Sequence, residues 1–433
     1  MKQYTAVLIG AGNRGINYTD VMYDLKDKFK VVAVADPENN RRDYIKNKHN
    51  ISNDMCFNSF TELLSKPKMA DLAIIATMDN MHYEPAMKAI EQGYDILLEK
   101  PVAQTEKECV DLALAAEKKG VKVLVCHVLR YTPFFKKIKE LVKNGTIGEI
   151  MSLVHIEGVG NVHQSHSYVR GNWHSEKEST PMLLAKCCHD LDIIQWILDE
   201  PCEKIQSFGK LSYFISENAP EGAPKRCIDG GCPIEDTCPY NCKKIYYESQ
   251  DNHWLRPACT RGISKGEIPT DEDVMTALKT TDYGLCVFHA NNDVVDHQTV
   301  NMQFKSGANA TLSMNAFNHG GRYIRIFGTK GELYAHMDNE YIDIYTFDDN
   351  KHTKLPKDSI EESILGGHGG GDAGLVHELY DYLSDNYTGY CAADINVSVK
   401  NHLIGFAAEK SRHEDTVESI DKYFNAYGLS NRY

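Results

Sequence analysis

Short apolar runs recur through the first third of the chain. They are "YTAVLIG" (4–10), "KVVAVAD" (30–36), "DLAIIAT" (71–77), "DILLE" (95–99) and "KVLVCH" (122–127). Each is rich in Val, Ile or Leu and too short for a helix, so each predicts a buried strand. Helical spacing fills gaps between them, around His82 to Glu91 and from about Gln104 to Lys119. Strand alternating with helix predicts an α/β domain over residues 1–127, built on a doubly wound parallel sheet. Residues 128–433 are read as a second domain, because 433 residues exceed one ordinary core. There, strand alternation returns in "FHANNDVVDHQTVNMQF" (288–304), and C-terminal helices are predicted over 373–427.

The first run ends in Gly10-Ala11-Gly12-Asn13-Arg14-Gly15, the G-x-G-x-x-G pattern. Its glycines permit a tight turn, close approach of a pyrophosphate to the backbone, and helix–strand packing. The next helix offers its free N–H groups to the phosphates. The second run closes on Asp36, where a carboxylate accepts hydrogen bonds from the adenosine ribose and favours NAD. Arg41 and Arg42 leave NADP open. The fourth run delivers Glu99-Lys100-Pro101 to the carboxyl end of a strand, where such sheets bind their ligands. Lys100 is therefore aimed at the cofactor, and a Lys-Pro bond adopts the cis form at modest cost.

Charge and cysteine content narrow the setting. A formal charge of −14, with no basic block to offset it, argues against nucleic acid or an anionic membrane as partner. No run is long enough to span a bilayer, and the apolar start leads into the glycine turn rather than a cleavage site. Thirteen cysteines without an export signal suit a cytoplasmic protein with free thiols or metal ligands.

These motifs, with "TMDNMH" (77–82), "HVLRYTPFF" (127–135), "GTIGEI" (145–150) and "AKCCHDLDIIQW" (185–196), resemble the glucose-fructose oxidoreductase / inositol dehydrogenase (Gfo/Idh/MocA) family. The resemblance implies a Rossmann domain followed by an α/β domain whose large, mostly antiparallel sheet faces the nicotinamide and mediates a homodimer or homotetramer. It implies hydride transfer between NAD(P) and a hydroxyl carbon of a sugar or cyclitol. Lys100 would contact the reacting hydroxyl, and His189 would act as acid/base. The cofactor residues would be Gly10, Gly12, Asn13, Arg14, Gly15, Asp36, Thr77, His82, Glu99 and Lys100.

One position departs from the family. An aspartate often stands four residues before the histidine, where this chain has Ala185, with Lys186 three before. On a continuous helix both offsets share a face, so Lys186 is a further catalytic candidate. A cation there would lower the basicity of His189.

The segment "NVHQSHSYVRGNWHS" (161–175) concentrates His163, His166, Tyr168, Arg170, Trp173 and His174, a mixture suited to a sugar's apolar faces and hydroxyl rim. Tyr131 and Pro133 follow the domain crossover and are expected to line the same cleft. His368, in "GGHGGGD" (366–372), stands on a backbone that allows close approach to a ligand. A cysteine-rich insertion, about 220–262, holds Cys227, Cys232, Cys238 and Cys242. Four thiolates suit a structural zinc, although a C-x2-C knuckle is missing; Cys259 or Cys286 are substitutes for Cys242. The leading expectation is an NAD-dependent oxidoreductase acting on a carbohydrate or glycoside. Two others stand beside it: a redox-cycling glycoside hydrolase that retains NAD, and a catalytically silent NAD- or sugar-binding regulator.

Overall fold

The computed structural model describes residues 2–249, 254–264, 268–338, 341–356 and 369–429. The early apolar runs form β1 (Tyr4–Ile9), β2 (Phe29–Ala35), β3 (Cys56–Phe57), β4 (Leu72–Ile75), β5 (Asp95–Leu98) and β6 (Val123–Val125). They make one sheet in the order β3-β2-β1-β4-β5-β6, parallel at every pair. Both sheet faces are covered, so residues such as Leu72 to Ile75 are wholly buried; this is why the runs are continuously apolar. The helix Glu106–Lys119 opens on a reciprocal capping box between Thr105 and Glu108 and ends at left-handed Gly120.

The second sheet has nine strands. These are β7 (Ile150–Gly158), β8 (Cys202–Lys210), β9 (His297–Phe304), β10 (Asn309–Asn315), β11 (Gly321–Gly328), β12 (Gly331–His336), β13 (Tyr341–Thr346), β14 (Lys351–Pro356) and β15 (Glu418–Ser419). Their order is β14-β13-β12-β11-β7-β10-β9-β8-β15, antiparallel except for the β7–β10 pair. This agrees with the expected mostly antiparallel sheet. On β7, Leu153, His155 and Glu157 point inward beneath the helix Cys188–Leu198, while Val154 and Ile156 point out to solvent. That alternation is the signature of a sheet covered on one face.

Two features differ from the pattern read along the chain. The insertion occupies the whole span from β8 to β9 and has its own small core of Ile228, Ile245, Tyr246, Leu255, Val274 and Leu278. It runs past residue 262 because the capped helix Asp271–Thr280 contributes Val274 and Leu278 to that core. The C-terminal helices also do not stay with the second domain. The helix Gly371–Leu383 packs on the first helix of the Rossmann domain, and Val125 N–H donates to Ala393 O across 3.0 Å. The helix Ile395–Glu414 lies against both β8 and the helix Glu106–Lys119. Among the described residues, no helix is long and apolar enough to cross a membrane.

Candidate active site

The glycine turn is shaped for a nucleotide. Gly10 has φ +90°, and a Cβ on Gly15 would stand 2.1 Å from Gly10 O, so neither position admits a side chain. Gly12, by contrast, faces open space, with nothing within 4 Å of where a Cβ would be. The helix Asn13–Asp24 begins there without a side-chain cap, leaving its first N–H groups for a ligand. Asp36 is buried at the end of β2, where its carboxylate accepts the N–H groups of Ala11 (2.8 Å) and Glu38 (2.9 Å). A carboxylate has lone pairs left for ribose hydroxyls after two such bonds. Arg41 approaches Asp36 to 3.8 Å, and Arg42 donates to the Asp36 carbonyl. These residues fit a dinucleotide.

Glu99 and Lys100 diverge at the end of β5. The buried Glu99 carboxylate takes Arg14 Nε at 2.7 Å and the Tyr18 hydroxyl, while Arg14 also grips Asp372 through two bonds of 2.7 Å. Burial raises the Glu99 carboxyl, but Arg14 and Lys100 outweigh it and hold the group below the usual range. Lys100 turns the other way, and its Nζ donates to Ala185 O at 3.1 Å. The Lys100–Pro101 bond is cis. His82 faces the carbonyls of Pro101 (2.6 Å) and Thr77 (3.1 Å), and Val102 N–H donates to His402 Nε2 at 3.0 Å. The lysine loop is thus held from both domains.

Three histidines, His127, His163 and His402, lie within electrostatic reach of Lys100, and a fourth, His189, packs on His127. The His127 ring makes edge contacts with His189 and His402, each at 6.0 Å between centroids. Burial pulls His127 down to about 4 and His402 to about 3, so both are neutral at pH 7. Burial, then the charges of Lys186, His166, Arg322 and Lys100, keep His163 well below the imidazole range. His189 itself is 6% exposed, in the first turn of the helix Cys188–Leu198.

Lys186 does not share a helical face with His189. The short helix Met182–Ala185 stops, and the next begins at Cys188, so the three-residue offset that joined them is broken. Lys186 instead pairs with Glu157 of β7 at 3.3 Å. Glu157 is shared with Arg322 of β11 (2.9 Å), and Arg322 binds Asp190 (2.8 Å), which also meets His155 Nε2 at 2.7 Å. Two cations and two carboxylates therefore balance in one buried network, whose Asp190 is the chain neighbour of His189.

Aromatic side chains form a wall. Trp173 donates to Asp79 at 3.0 Å, which ties the second domain to the turn after β4. Tyr168 lies 6.2 Å from Trp173 and 5.9 Å from His163, and the insertion's Trp254 comes to 5.4 Å from His163 and 4.9 Å from His166. Tyr283 stacks on His166 at 4.9 Å. Residues 164–169 coil as a π-helix, a form frequent at functional sites, instead of a loop.

Comparison with known proteins agrees with this architecture. Residues 4–127 match the oxidoreductase family's NAD-binding Rossmann fold, and residues 139–394 match its C-terminal alpha/beta domain. The chain belongs to the Gfo/Idh/MocA family. It is 25% identical to YteT of Bacillus subtilis (strain 168) over 335 residues, 74% of each chain. It is 30% identical to the 2,7-anhydro-N-acetylneuraminate hydratase of Escherichia coli (strain K12) over 204 residues, 47% of this chain and 51% of that one. Among solved structures, levoglucosan dehydrogenase in complex with NADH and L-sorbose shares the fold at a TM-score of 0.70 with 15% identity, over 97% of this chain and 99% of that one. The WlbA dehydrogenase of Bordetella pertussis does so at 0.66 with 14% identity, over 96% and 98%.

Within this Gfo/Idh/MocA chain, the other predicted residues make contacts of their own. Arg14 bridges Glu99 and Asp372, and exposed Asn13 marks the helix start. Thr77 closes its own turn onto Met81 O at 2.8 Å. Tyr131 is wholly buried, where its backbone packs on Gly374. Arg170 is buried and clamps the insertion through the carbonyls of Leu285 (2.9 Å) and Tyr240 (2.8 Å). His368 lies outside the described residues. Cys227, Cys232 and Cys238 line one cavity together with Cys286, while Cys242 is buried beside it. Among the described residues, the set of three or more metal-ligand types within 4.8 Å of one another is Glu176, Glu409 and His413, and no cysteine belongs to it. Glu157, Arg322, Trp254 and Tyr283 carried no motif along the chain; they converge only through long-range pairing.

Proposed function

We propose that this protein is an NAD-dependent oxidoreductase exchanging hydride with a ring hydroxyl carbon of a sugar or related carbohydrate. The observation that carries the reading is the position of Lys100, at the carboxyl end of β5, close enough to His127, His163 and His402 to act on their titration. The glycine turn and Asp36 would hold the dinucleotide, which when bound would supply the hydride acceptor. Lys100 stabilises the developing alkoxide, and His189 takes the hydroxyl proton. Lys186, paired with Glu157, acts by orienting hydroxyls. His163, held neutral, with Tyr168, Trp173 and Trp254, offers the sugar an aromatic wall with polar edges. The bonds Asp36 makes to the turn support NAD over NADP. Thirteen cysteines without a disulfide among the described residues suit a cytoplasmic setting, and the outward residues Val154, Ile156, Phe208 and Tyr334 suit a homodimer or homotetramer through the open sheet face.

A second reading has specific support. The Escherichia coli and Mediterraneibacter gnavus relatives are named hydratases, which act without net oxidation. A redox-neutral cycle, in which retained NAD oxidises and then re-reduces a glycoside or anhydro-sugar, uses the same Lys100 and His189. The test begins with the protein as purified: released nucleotide is assayed after denaturation, and native protein is offered free sugars, aryl glycosides and 2,7-anhydro-N-acetylneuraminate. NADH formed only when NAD and a free sugar are both added supports the dehydrogenase. Product without NADH from a nucleotide-loaded protein replaces it with the redox-neutral cycle. Lys100→Met and His189→Asn should each lower kcat by about 10²–10⁴-fold in either case; unchanged rates would refute both.

A further inference from the structure

The insertion holds a second built site, independent of the hydride chemistry. A cavity of about 20 Å³ is lined by Cys227, Cys232, Cys238 and Cys286. Cys286 is distant in sequence from the other three. An isolated bridge between Arg226 and Leu285, with Cys286 N–H donating to Lys225 O at 3.1 Å, sets it beside Cys227. Cys242 N–H donates to Cys227 Sγ at 3.4 Å. The rest of the lining is largely apolar, with Pro220, Pro224, Ile234, Val287 and Phe288. Two charged groups line it as well: the Glu235 carboxylate, paired with Lys243 at 3.4 Å and accepting Gly231 N–H at 3.1 Å, and Arg170, which is 3% exposed with its Nη1 buried and without a hydrogen-bond partner.

The size of the space discriminates between occupants. A tetrahedral zinc draws four sulfurs to about 2.3 Å, which sets them about 3.8 Å apart and leaves no room between them. Here no three of the cysteine sulfurs lie within 4.8 Å of one another, and the cavity exceeds the roughly 10–15 Å³ that one water-sized body needs. Four thiolates spread around a space larger than an ion match an iron–sulfur cluster, whose core of irons and sulfides separates its cysteines. A thiolate-ligated cluster carries net negative charge, and the unpartnered guanidinium nitrogen of Arg170 supplies a matching cation. Backbone N–H donation to a ligating sulfur is likewise in place at Cys227.

We propose that Cys227, Cys232, Cys238 and Cys286 hold an iron–sulfur cluster that keeps the insertion folded, and with it Trp254 and Tyr283 against His163 and His166. The role is structural, and no electron transfer is assigned. The test uses the full chain purified under nitrogen, and again after treatment with ferrous iron and sulfide. Iron, acid-labile sulfide and zinc are measured per chain alongside the visible spectrum. The expected result is equal iron and sulfide, about two or four of each per chain, with broad visible absorption bleached by a reductant. Cys286→Ser and Cys232→Ser should lose both, while Cys242→Ser, which keeps its backbone N–H, retains them. One zinc per chain without iron, neither metal after iron and sulfide treatment, or iron that survives in Cys286→Ser would each overturn the proposal.

Discussion

Asp190→Asn offers a quantitative test of the buried charge network that joins Lys186, Glu157, Arg322 and Asp190. Asp190 is wholly buried and receives Arg322 through bonds of 2.8 and 3.3 Å and His155 at 2.7 Å. With Lys186, Glu157 and Arg322 it forms a neutral set of four charges. The amide keeps the shape and removes one negative charge, leaving a buried cation in excess. Removing one partner of a buried pair costs about 3–5 kcal/mol. Arg322→Met alone leaves the opposite excess and should cost a similar amount. The double variant leaves only the neutral Lys186–Glu157 pair, so it should cost well under the sum of the singles, with a coupling of about 1–3 kcal/mol. Arg322 and His155 hold the Asp190 carboxyl well below its ordinary value despite burial. Its contribution is therefore complete above the unfolded pKa and fades as pH falls through the lower folded value. The deficit of Asp190→Asn should be constant from pH 5 to 7 and smaller by about 0.7 kcal/mol at pH 3.5. Urea unfolding of the four proteins across that range measures all of this. Additive singles, or a cost below about 1 kcal/mol at pH 7, would refute the balanced-network reasoning.

Three further outcomes follow from the geometry. Gly12→Ala should fold normally and weaken nucleotide binding, while Gly15→Ala, whose Cβ meets Gly10 O at 2.1 Å, should destabilise the domain by several kcal/mol; calorimetric titration and thermal melting separate the two. Asp36→Ser should shift the Kd ratio toward NADP, because Arg41, now 3.8 Å from the carboxylate, is released for a 2′-phosphate; an unchanged ratio would remove Asp36 from cofactor choice. Burial and then Glu409 push the Glu176 carboxyl up to about 6, so its ionisation costs stability as pH rises from about 4.3 through 6. Glu176→Gln should therefore be more stable than the parent by about 1 kcal/mol at pH 7.5, after the lost Arg412 contact, and no better at pH 4.5; a melting series that shows equal gains at both would contradict this.

The parts of the site visible in the sequence are those encoded locally. Gly10, Gly12, Gly15 and Asp36 are spaced along one strand–helix–strand unit, and Lys100 owes its aim to the strand it terminates. Glu157 and Arg322 were not visible because their meeting depends on the register of β7 against β11, which places them opposite each other. Lys186 misled for a different reason: no Gly or Pro marks the break between Ala185 and Cys188, so a helical offset looked continuous. Arg170 sits in a sugar-like context, but the carbonyls it serves belong to Leu285 and Tyr240, far along the chain. Cys286 was among the substitutes named for Cys242, but the bridge that brings it to Cys227, between Arg226 and Leu285, has no sequence signature.

The return of the chain to β6 bears on the order in which the molecule is made. The edge of the first sheet is completed only when Leu124 and Val125 meet Asp394 and Ala393, and the lysine loop only when His402 reaches Val102. A ribosome adding about 5–20 residues per second delivers that segment roughly 15–50 s after β6 has emerged. During that interval a nascent Rossmann sheet exposes an unpaired strand, the kind of edge that recruits another chain. Synthesis speed and chaperone capture, more than the stability of the finished fold, would then set how much of this protein reaches its native state.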